Sequence, residues 1–252
     1  MVTVEQTWLA PPANLFLAPD EIHVWRTVLD QPAAEVAQFA GLLTADEQLR
    51  ANRFHFEQDR QRFIVGRGIL RTLLGRYVGC PGGKLQFSYG ARGKPALASP
   101  TTEPPLYFNL AHSGGLAVIA LAYHQELGVD VEQIRPITDM EQIVRRFFAA
   151  PEQAALLGLP VEQRQEAFFN GWTRKEAYLK ALGDGLARPL DQFCVSLVPG
   201  EPVRLLSISG DEADVSRWFL ASFHPAPGYV AAVAVRGHAW RFNYWDWTQS
   251  SA

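Results

Sequence analysis

Residues 127–132 place two carboxylates at a spacing that suits cation binding. Val129 and Val131 alternate with Asp130 and Glu132, which is the period of a β-strand with one apolar face. The two carboxylates should therefore lie side by side on the other face. Carboxylate oxygens are the ligands that a hard cation such as Mg²⁺ prefers.

A second segment, Trp172–Lys180, combines one carboxylate with ammonium groups. It contains no glycine or proline and predicts a helix, on which Trp172, Glu176 and Lys180 form one stripe. Lys175 lies beside this stripe. If the helix meets the strand, one further carboxylate and two ammonium groups would lie beside the first two carboxylates. Lysine side chains next to a bound cation suit a phosphate ligand.

Each segment also has a simpler interpretation. An Asp-x-Glu pair on a strand is typical of the solvated face of a half-covered sheet. A Lys-Glu-x-x-x-Lys helix is typical of a surface helix with side-chain pairs four residues apart. Taken singly, neither segment decides between a site and a solvated surface.

Composition limits the class of protein. The chain has 252 residues, of which 48% are hydrophobic and 19% charged, as in a globular protein, and its net charge of −3 gives no indication of nucleic-acid binding. Two cysteines, Cys80 and Cys194, are too few for a disulfide scaffold and favour a reducing compartment. The N-terminus lacks the pattern of a signal peptide and the apolar runs are too short to span a bilayer, so we expect a cytoplasmic protein without a membrane partner.

Two long helices organise the chain. The pattern predicts helices at about 59–77 and 161–182, and each is followed by a glycine, Gly79 and Gly183, which is a typical stop signal. Residues 108–122 and 223–235 each run from an aromatic residue through a turn to an apolar strand.

These parallels predict an α+β fold built as a pseudo-twofold duplication. The two similar α/β halves would comprise residues 1–126 and 127–252, each with a long helix on a small, mostly antiparallel sheet. The active site is expected at the interface, where a pocket forms naturally.

Four motifs resemble those of the 4′-phosphopantetheinyl transferases of the long, surfactin-synthetase type. They occur in that family's order, and the resemblance covers roughly residues 15–240. The motifs are Gly93-Lys94-Pro95, Phe108-Asn109-Leu110-Ala111-His112-Ser113, Gly128-x-Asp130-x-Glu132 and Trp172-x-x-Lys175-Glu176-Ala177-x-x-Lys180.

The resemblance implies an activity and its partners. A serine of an apo acyl or peptidyl carrier protein would attack the pyrophosphate of coenzyme A, accept the phosphopantetheine arm and release adenosine 3′,5′-bisphosphate. Mg²⁺ would assist, and a chain with two such halves is expected to be monomeric. Which carrier is served stays open.

The resemblance also implies roles for the two central motifs. Asp130, Glu132 and Glu176 match the family's metal ligands. Glu176 is the candidate general base, with Glu132 as the alternative, because a tight metal ligand is not easily a free base. Lys180 would contact the pyrophosphate, and Lys175 the same region or the incoming serine.

A further group of residues matches the family's cofactor-binding positions. His112 and Ser113 would lie at the 3′-phosphate of coenzyme A, and Arg50, Arg62 and Lys94 would bind the nucleotide phosphates.

Two departures from the family pattern bear on this part of the site. Ala111 replaces the usual serine, so that a hydroxyl contact to the cofactor is expected to be lost. Glu47 stands where a second basic residue is common, three positions before Arg50.

Two other functions remain open at this point. One is a Mg²⁺-dependent nucleotide pyrophosphohydrolase, against which the order of the four motifs argues. The other is a non-catalytic carrier-binding paralogue, against which the intact acidic and basic residues argue.

Overall fold

The computed structural model describes residues 6–90, 93–98, 102–183 and 188–247, so the N-terminal residues 1–5 of the signal-peptide prediction lie outside it. In these ranges the helices are α1 Ala33–Ala40, α2 Ala45–Ala51, α3 Glu57–Val78, α4 Met140–Phe147, α5 Ala150–Leu157, α6 Val161–Leu182 and α7 Glu212–Val215. The strands are β1 Glu21–Val28, β2 Phe87–Tyr89, β3 Pro95–Leu97, β4 Leu106–Ser113, β5 Leu116–Tyr123, β6 Leu127–Gln133, β7 Phe193–Val195, β8 Leu205–Ile208, β9 Trp218–Phe223, β10 Tyr229–Arg236 and β11 Arg241–Asp246.

The two predicted long helices are confirmed as α3 and α6. Both end at the predicted glycine, and Gly79 and Gly183 adopt left-handed backbone angles, with φ of 64° and 73°. A residue with a side chain is disfavoured there, which is why glycine ends these helices. None of the described helices is both long and apolar enough to cross a membrane.

Two sheets pack face to face. The first has the strand order β11-β1-β5-β4 and the second β6-β10-β9, and every pairing within them is antiparallel except that of β1 with β11. Small and branched aliphatic side chains fill the layer between them, among them Val24, Val118, Val129 and Val233. This confirms the mixed fold with small, mostly antiparallel sheets.

Each sheet carries one long helix on its outer face. The apolar side of α3, including Val65 and Leu73, packs in one cluster with Trp25 and Ile119 of the first sheet. Helix α6 packs on β6 and β10 of the second sheet. The order of layers is therefore α3, first sheet, second sheet, α6.

The last strand, β11, belongs to the second half of the chain but pairs with the sheet of the first half. Strand β11 lies parallel to β1, with Glu21 opposite Arg241 and Arg26 opposite Asp246. The Arg26 guanidinium donates to an Asp246 carboxylate oxygen at 2.7 Å. The C-terminal residues thus complete the sheet of the first half, an exchange that the prediction of two separate halves did not include.

Gly128 allows α6 to lie directly on β6. A Cβ atom at this position would collide with the carbonyl oxygen of Ala177 and the amide nitrogen of Ala181. Both obstacles are helix backbone and cannot rotate away as a flexible side chain would. The glycine of the Gly-x-Asp-x-Glu motif is therefore needed for α6 to approach β6 this closely.

We expect Gly128→Ala to destabilise the protein by about 1–3 kcal/mol or more, because the added methyl group overpacks a helix–strand contact. Calorimetry should show a melting temperature lower by several degrees, at about 2–4 °C per kcal/mol for a chain of this size. Gly83→Ala is the matched control, since the nearest atom to its added Cβ would be the Leu42 carbonyl oxygen at 3.9 Å. Equal melting temperatures for the two variants would contradict this account.

Candidate active site

A cavity of about 330 Å³ is lined by residues of α3, β4 and the C-terminal end of α6. The Asn109 side chain joins β4 to the neighbouring strand β6, since its Oδ1 accepts a hydrogen bond from the Val129 amide at 2.8 Å. Basic side chains from both halves of the chain line the cavity: Arg50, Arg62, Arg67, Lys94, His112 and Lys180. Because few carboxylates line it, the cavity suits a ligand with several negative charges.

Asp130 and Lys180 form the polar centre of the site. The Lys180 ammonium donates to Asp130 Oδ1 at 2.6 Å, whereas Asp130 Oδ2 is buried and has no hydrogen-bond partner. Burial raises the pKa of Asp130 to about 7; Glu132 and Glu176 act in the same direction and Lys180 opposes them. An orphaned buried carboxylate oxygen beside two further acids indicates a place where a cation would be stabilised.

Glu176 and Glu132 complete the acidic group. Burial raises the pKa of Glu176, with Lys180 lowering it and Glu132 raising it further. Glu132 is half-buried, and its Oε2 accepts a hydrogen bond from the Ser113 hydroxyl at 2.7 Å. The three acids are thus near enough to influence one another.

The donor chemistry of this acidic group fits a hard divalent cation such as Mg²⁺, because every side-chain ligand would be a carboxylate oxygen. Among the described residues, no three His, Cys, Asp or Glu side chains lie close enough together to hold a metal ion. The Lys180 ammonium instead supplies the compensating positive charge at Asp130.

Ser113 is tied to the acidic group rather than free in the cavity. Its hydroxyl donates to Glu132 and accepts from the Gln133 amide at 3.2 Å. This side chain therefore orients Glu132, and its role as a cofactor contact stays a prediction.

His112 projects from β4 into the cavity, where its ring remains accessible to solvent. Partial desolvation by the cavity walls lowers its pKa, and the charges of Lys180 and Arg62 lower it further. The ring of the free protein is therefore neutral near pH 7, and a bound anion would be needed to hold it protonated.

Arg62 and Lys94 line the cavity with protein partners already in place. Arg62 donates to both carboxylate oxygens of Asp30, at 2.7 and 2.8 Å. The Lys94 ammonium donates to the Lys180 carbonyl at 2.8 Å and to the Leu127 carbonyl at 3.2 Å, and burial lowers its pKa. Lys94 thus also joins the end of α6 to the start of β6.

The guanidinium carbons of Arg50 and Arg67 lie 5.4 and 5.8 Å from the centre of the Phe63 ring. Arg67 was missed by the sequence interpretation, yet it lines the cavity with its side chain 9% exposed and its Nη1 buried without a partner. The available signal was a pair of arginines four residues apart, Arg67 and Arg71, within the otherwise apolar inner face of α3.

Glu47 explains why two arginines can be buried in this helix. Its carboxylate lies 2.7 Å from Arg71 and 3.5 Å from Arg67, and it also accepts the Thr44 amide at the start of α2. The departure at this position is therefore structural: an acid on α2 neutralises cations supplied by α3.

The structure corrects the prediction for Lys175. Its ammonium is fully buried, 2.7 Å from the Glu152 carboxylate, and donates to the carbonyls of Leu190 and Phe193. Like Arg174, Lys175 lies on the side of α6 that faces the protein interior. It therefore cannot contact a serine at the cavity.

The structure also corrects the expectation for Ala111. Its side chain is 5% exposed and lies in the apolar layer between the sheets, whereas its neighbours Leu110 and His112 line the cavity. Because side chains alternate along a strand, a serine hydroxyl at this position would face the core. Its absence therefore removes no contact to a ligand in the cavity.

Comparison with known families gives matches along most of the chain. A family model described as 4′-phosphopantetheinyl transferase superfamily matches residues 126–234. A second, described as 4′-phosphopantetheinyl transferase, N-terminal, matches residues 21–124. Together the two models span both helices that enclose the cavity.

Individual relatives agree with these matches. The chain is 44% identical to 4′-phosphopantetheinyl transferase HetI of Nostoc sp. strain PCC 7120, over 97% of this chain and 100% of that protein. It is 28% identical to 4′-phosphopantetheinyl transferase Sfp of Bacillus subtilis, over 84% of this chain and 91% of that protein. A holo-(acyl-carrier-protein) synthase of Bacillus anthracis, solved with CoA (3′,5′-ADP), has a TM-score of 0.36 at 20% identity, over 44% of this chain and 94% of that one, which is only a distant likeness.

Proposed function

The chain belongs to the 4′-phosphopantetheinyl transferase superfamily, and we propose that it transfers the 4′-phosphopantetheine arm of coenzyme A to a serine of an apo carrier protein. The observation that carries this proposal is the position of Lys180. It lies on the wall of a basic cavity and also binds Asp130 of an acidic group. A pyrophosphate at this junction would meet ammonium groups on one side and a cation-binding group on the other.

The basic side chains would hold the cofactor phosphates. Arg50, Arg62, Arg67 and Lys94 bring positive charge from α2, α3 and the segment before β3. Arg67 has a donor to offer a phosphate, because its Nη1 is buried without a protein partner. His112 would take up a proton beside the phosphate that it contacts.

The acidic group would support the transfer step. Mg²⁺ held by Asp130, Glu132 and Glu176 would supply positive charge beside the pyrophosphate. The carrier serine attacks the phosphorus that bears the pantetheine arm, the phosphorus–oxygen bond to the nucleotide breaks, and adenosine 3′,5′-bisphosphate leaves. Lys180 would turn from Asp130 to a pyrophosphate oxygen and stabilise the charge that develops there.

Glu176 is the better candidate for the general base. Burial raises its pKa, which strengthens it as a proton acceptor. Glu132 already accepts the Ser113 hydroxyl, so one of its two oxygens is occupied. The serine proton would therefore pass to Glu176, directly or through a water molecule, and the cation would in that step be held mainly by Asp130 and Glu132, because a tight metal ligand is not easily a free base.

We further infer that residues 1–126 and 127–252 arose by duplication. Two features support this inference. Helices α3 and α6 have 22 residues each and end at a left-handed glycine, and each covers a different small sheet. The two matched family models also meet near residue 125. The return of β11 to the first sheet would then be a strand exchange between the two units, in a protein that we expect to be monomeric.

Mass spectrometry of apo carrier proteins tests the proposed function. Several acyl and peptidyl carriers are incubated with the protein, coenzyme A and Mg²⁺, and we expect the mass of one phosphopantetheine group to appear on at least one of them. A carrier with its acceptor serine replaced by alanine is the control. Release of adenosine bisphosphate without a carrier would indicate a hydrolase instead, and no release under any condition would indicate a non-catalytic carrier-binding protein.

We expect coenzyme A binding to weaken as pH rises, through the titration of His112. Its pKa lies below the ordinary value in the free protein, and a phosphate beside the ring would raise it in the complex. Affinity is therefore full below the lower pKa, falls as pH rises between the two, and loses the imidazolium contribution above the higher one. Calorimetric titration across this range measures the slope.

His112→Gln should abolish this slope and weaken binding at low pH by about 10-fold to 100-fold, as expected for a charge-assisted hydrogen bond of about 1.5–3 kcal/mol. Dephospho-coenzyme A, which lacks the 3′-phosphate, is the matched ligand and should lose little. Equal losses for both ligands would assign His112 a structural role.

A further inference from the structure

Lys175 stands in the motif beside Glu176, yet the transfer mechanism does not use it. All three N–H groups of its ammonium have acceptors: Glu152 Oε2 at 2.7 Å, the Leu190 carbonyl at 2.7 Å and the Phe193 carbonyl at 2.6 Å. An ammonium has three donors, so this side chain has no capacity left for a substrate.

Both carboxylate oxygens of Glu152 are also bonded. Its Oε2 also accepts the Ala149 amide at 2.8 Å, and its Oε1 accepts the Val195 amide at 2.8 Å. Both side chains are at most 1% exposed. The pair therefore connects three separate elements: the start of α5, the middle of α6, and β7 with the residues just before it.

Stability alone is a poor explanation for this pair. Removing two charges from water costs several kcal/mol per ion, and buried ion pairs often stabilise a fold no more than apolar residues of the same size. What a fully saturated pair does provide is a fixed position, because five hydrogen bonds and contacts from several directions leave neither side chain free to move.

The fixed position determines where the catalytic side chains lie. Successive residues on a helix are separated by about 100° of rotation. Lys175 is held toward α5 and β7, whereas Lys180 of the same helix reaches Asp130 of β6 at 2.6 Å. Glu176 lies one turn before Lys180 and therefore belongs to the same stripe of the helix. A rotation or slide of α6 would move Glu176 and Lys180 together.

We propose that Glu152 and Lys175 are positioning residues that set the rotation of α6 and so place Glu176 and Lys180 for phosphopantetheinyl transfer. This inference rests on the proposed function. It assigns the lysine of the Trp-x-x-Lys-Glu motif to the support of the site rather than to its chemistry, and it assigns Glu152, which lies outside the four motifs, a part in the reaction.

Glu152→Gln tests the proposal through a split between turnover and binding. The amide retains an acceptor but no charge for Lys175, so α6 should lose its exact placement. A displacement of about 1 Å can lower a rate by about 10²-fold, and we expect the turnover number to fall by about 10-fold to 10²-fold. The dissociation constant of coenzyme A, measured calorimetrically without carrier, should change less than about threefold, since most of the basic side chains lie on other elements.

A surface ion pair on the same helix provides the matched control. Arg164 of α6 contacts Glu141 of α4 at 3.3 Å, with side chains 24% and 56% exposed. Glu141→Gln should leave both turnover and binding unchanged, because exposed pairs contribute little.

The double variant Glu152→Gln with Lys175→Gln separates position from stability. It removes both charges, so its melting temperature should recover relative to the single variant. Its turnover should stay low, because the shorter amide cannot reach the three acceptors together. It also keeps the test usable if the single variant does not fold.

Three results would overturn the proposal. Turnover that recovers together with the melting temperature would make the pair purely structural, as would a lowered melting temperature with unchanged turnover. Equal losses in turnover and in coenzyme A affinity would place the pair in binding. Failure of the proposed function is recognised separately, because the unaltered protein would then modify no carrier.

Discussion

Asp130→Asn is expected to reduce phosphopantetheinyl transfer by about 10³-fold or more while leaving the fold intact. Asparagine has nearly the same shape, so the packing against α6 is preserved. The loss of a charged oxygen from a group of three acids should remove several kcal/mol of cation binding and transition-state stabilisation, at about 1.4 kcal/mol per factor of ten.

Two measurements check this expectation. Transfer rates are compared at limiting and saturating Mg²⁺, and Mn²⁺ binding to the protein without cofactor is followed by electron paramagnetic resonance. Asp139→Asn, at an exposed position beyond the same strand, is the control and should behave as the unaltered protein. A normal rate for Asp130→Asn at limiting Mg²⁺ would remove Asp130 from the cation site.

Local patterns predicted the elements that carry the chemistry. Helix α6 was predicted over its full length because it has no internal proline and ends at Gly183. Strand β6 was predicted because Val129 and Val131 alternate with the acids. Such signals depend on neighbours in the sequence, and they were sufficient to bring Asp130 and Lys180 to one place.

Long-range packing decided what the sequence could not predict. Helical periodicity gives the angle between Lys175 and Glu176 but not which side of the helix will meet the segment before β7. The direction of Ala111 depends on which face of β4 the second sheet covers. The pairing of β11 with β1 joins residues about 220 positions apart, and nothing local to Arg241–Asp246 specifies that partner.

Lys180→Met is expected to lower the turnover number by about 10²-fold, with a much smaller effect on coenzyme A retention. Methionine keeps an unbranched side chain of similar shape but lacks the ammonium group and its charge. An ammonium on a pyrophosphate oxygen contributes most when negative charge develops there, as with a donor to an oxyanion, whose loss costs about 10²-fold to 10³-fold in rate. A raised Michaelis constant with unchanged turnover would instead assign Lys180 to uniform binding of the cofactor.

The ion pair with Asp130 adds a second, opposite readout for Lys180. In the free protein its ammonium occupies Asp130 Oδ1 at 2.6 Å and so competes with a divalent cation for the same carboxylate. Lys180→Met removes the competitor, and Mn²⁺ should bind the free protein at least as tightly as before. Asp130→Asn should weaken the same binding, although both variants are nearly inactive. If Lys180→Met also weakened Mn²⁺ binding, the ammonium would be a support for the acidic group rather than a competitor for it, and its movement to the pyrophosphate would have to be abandoned.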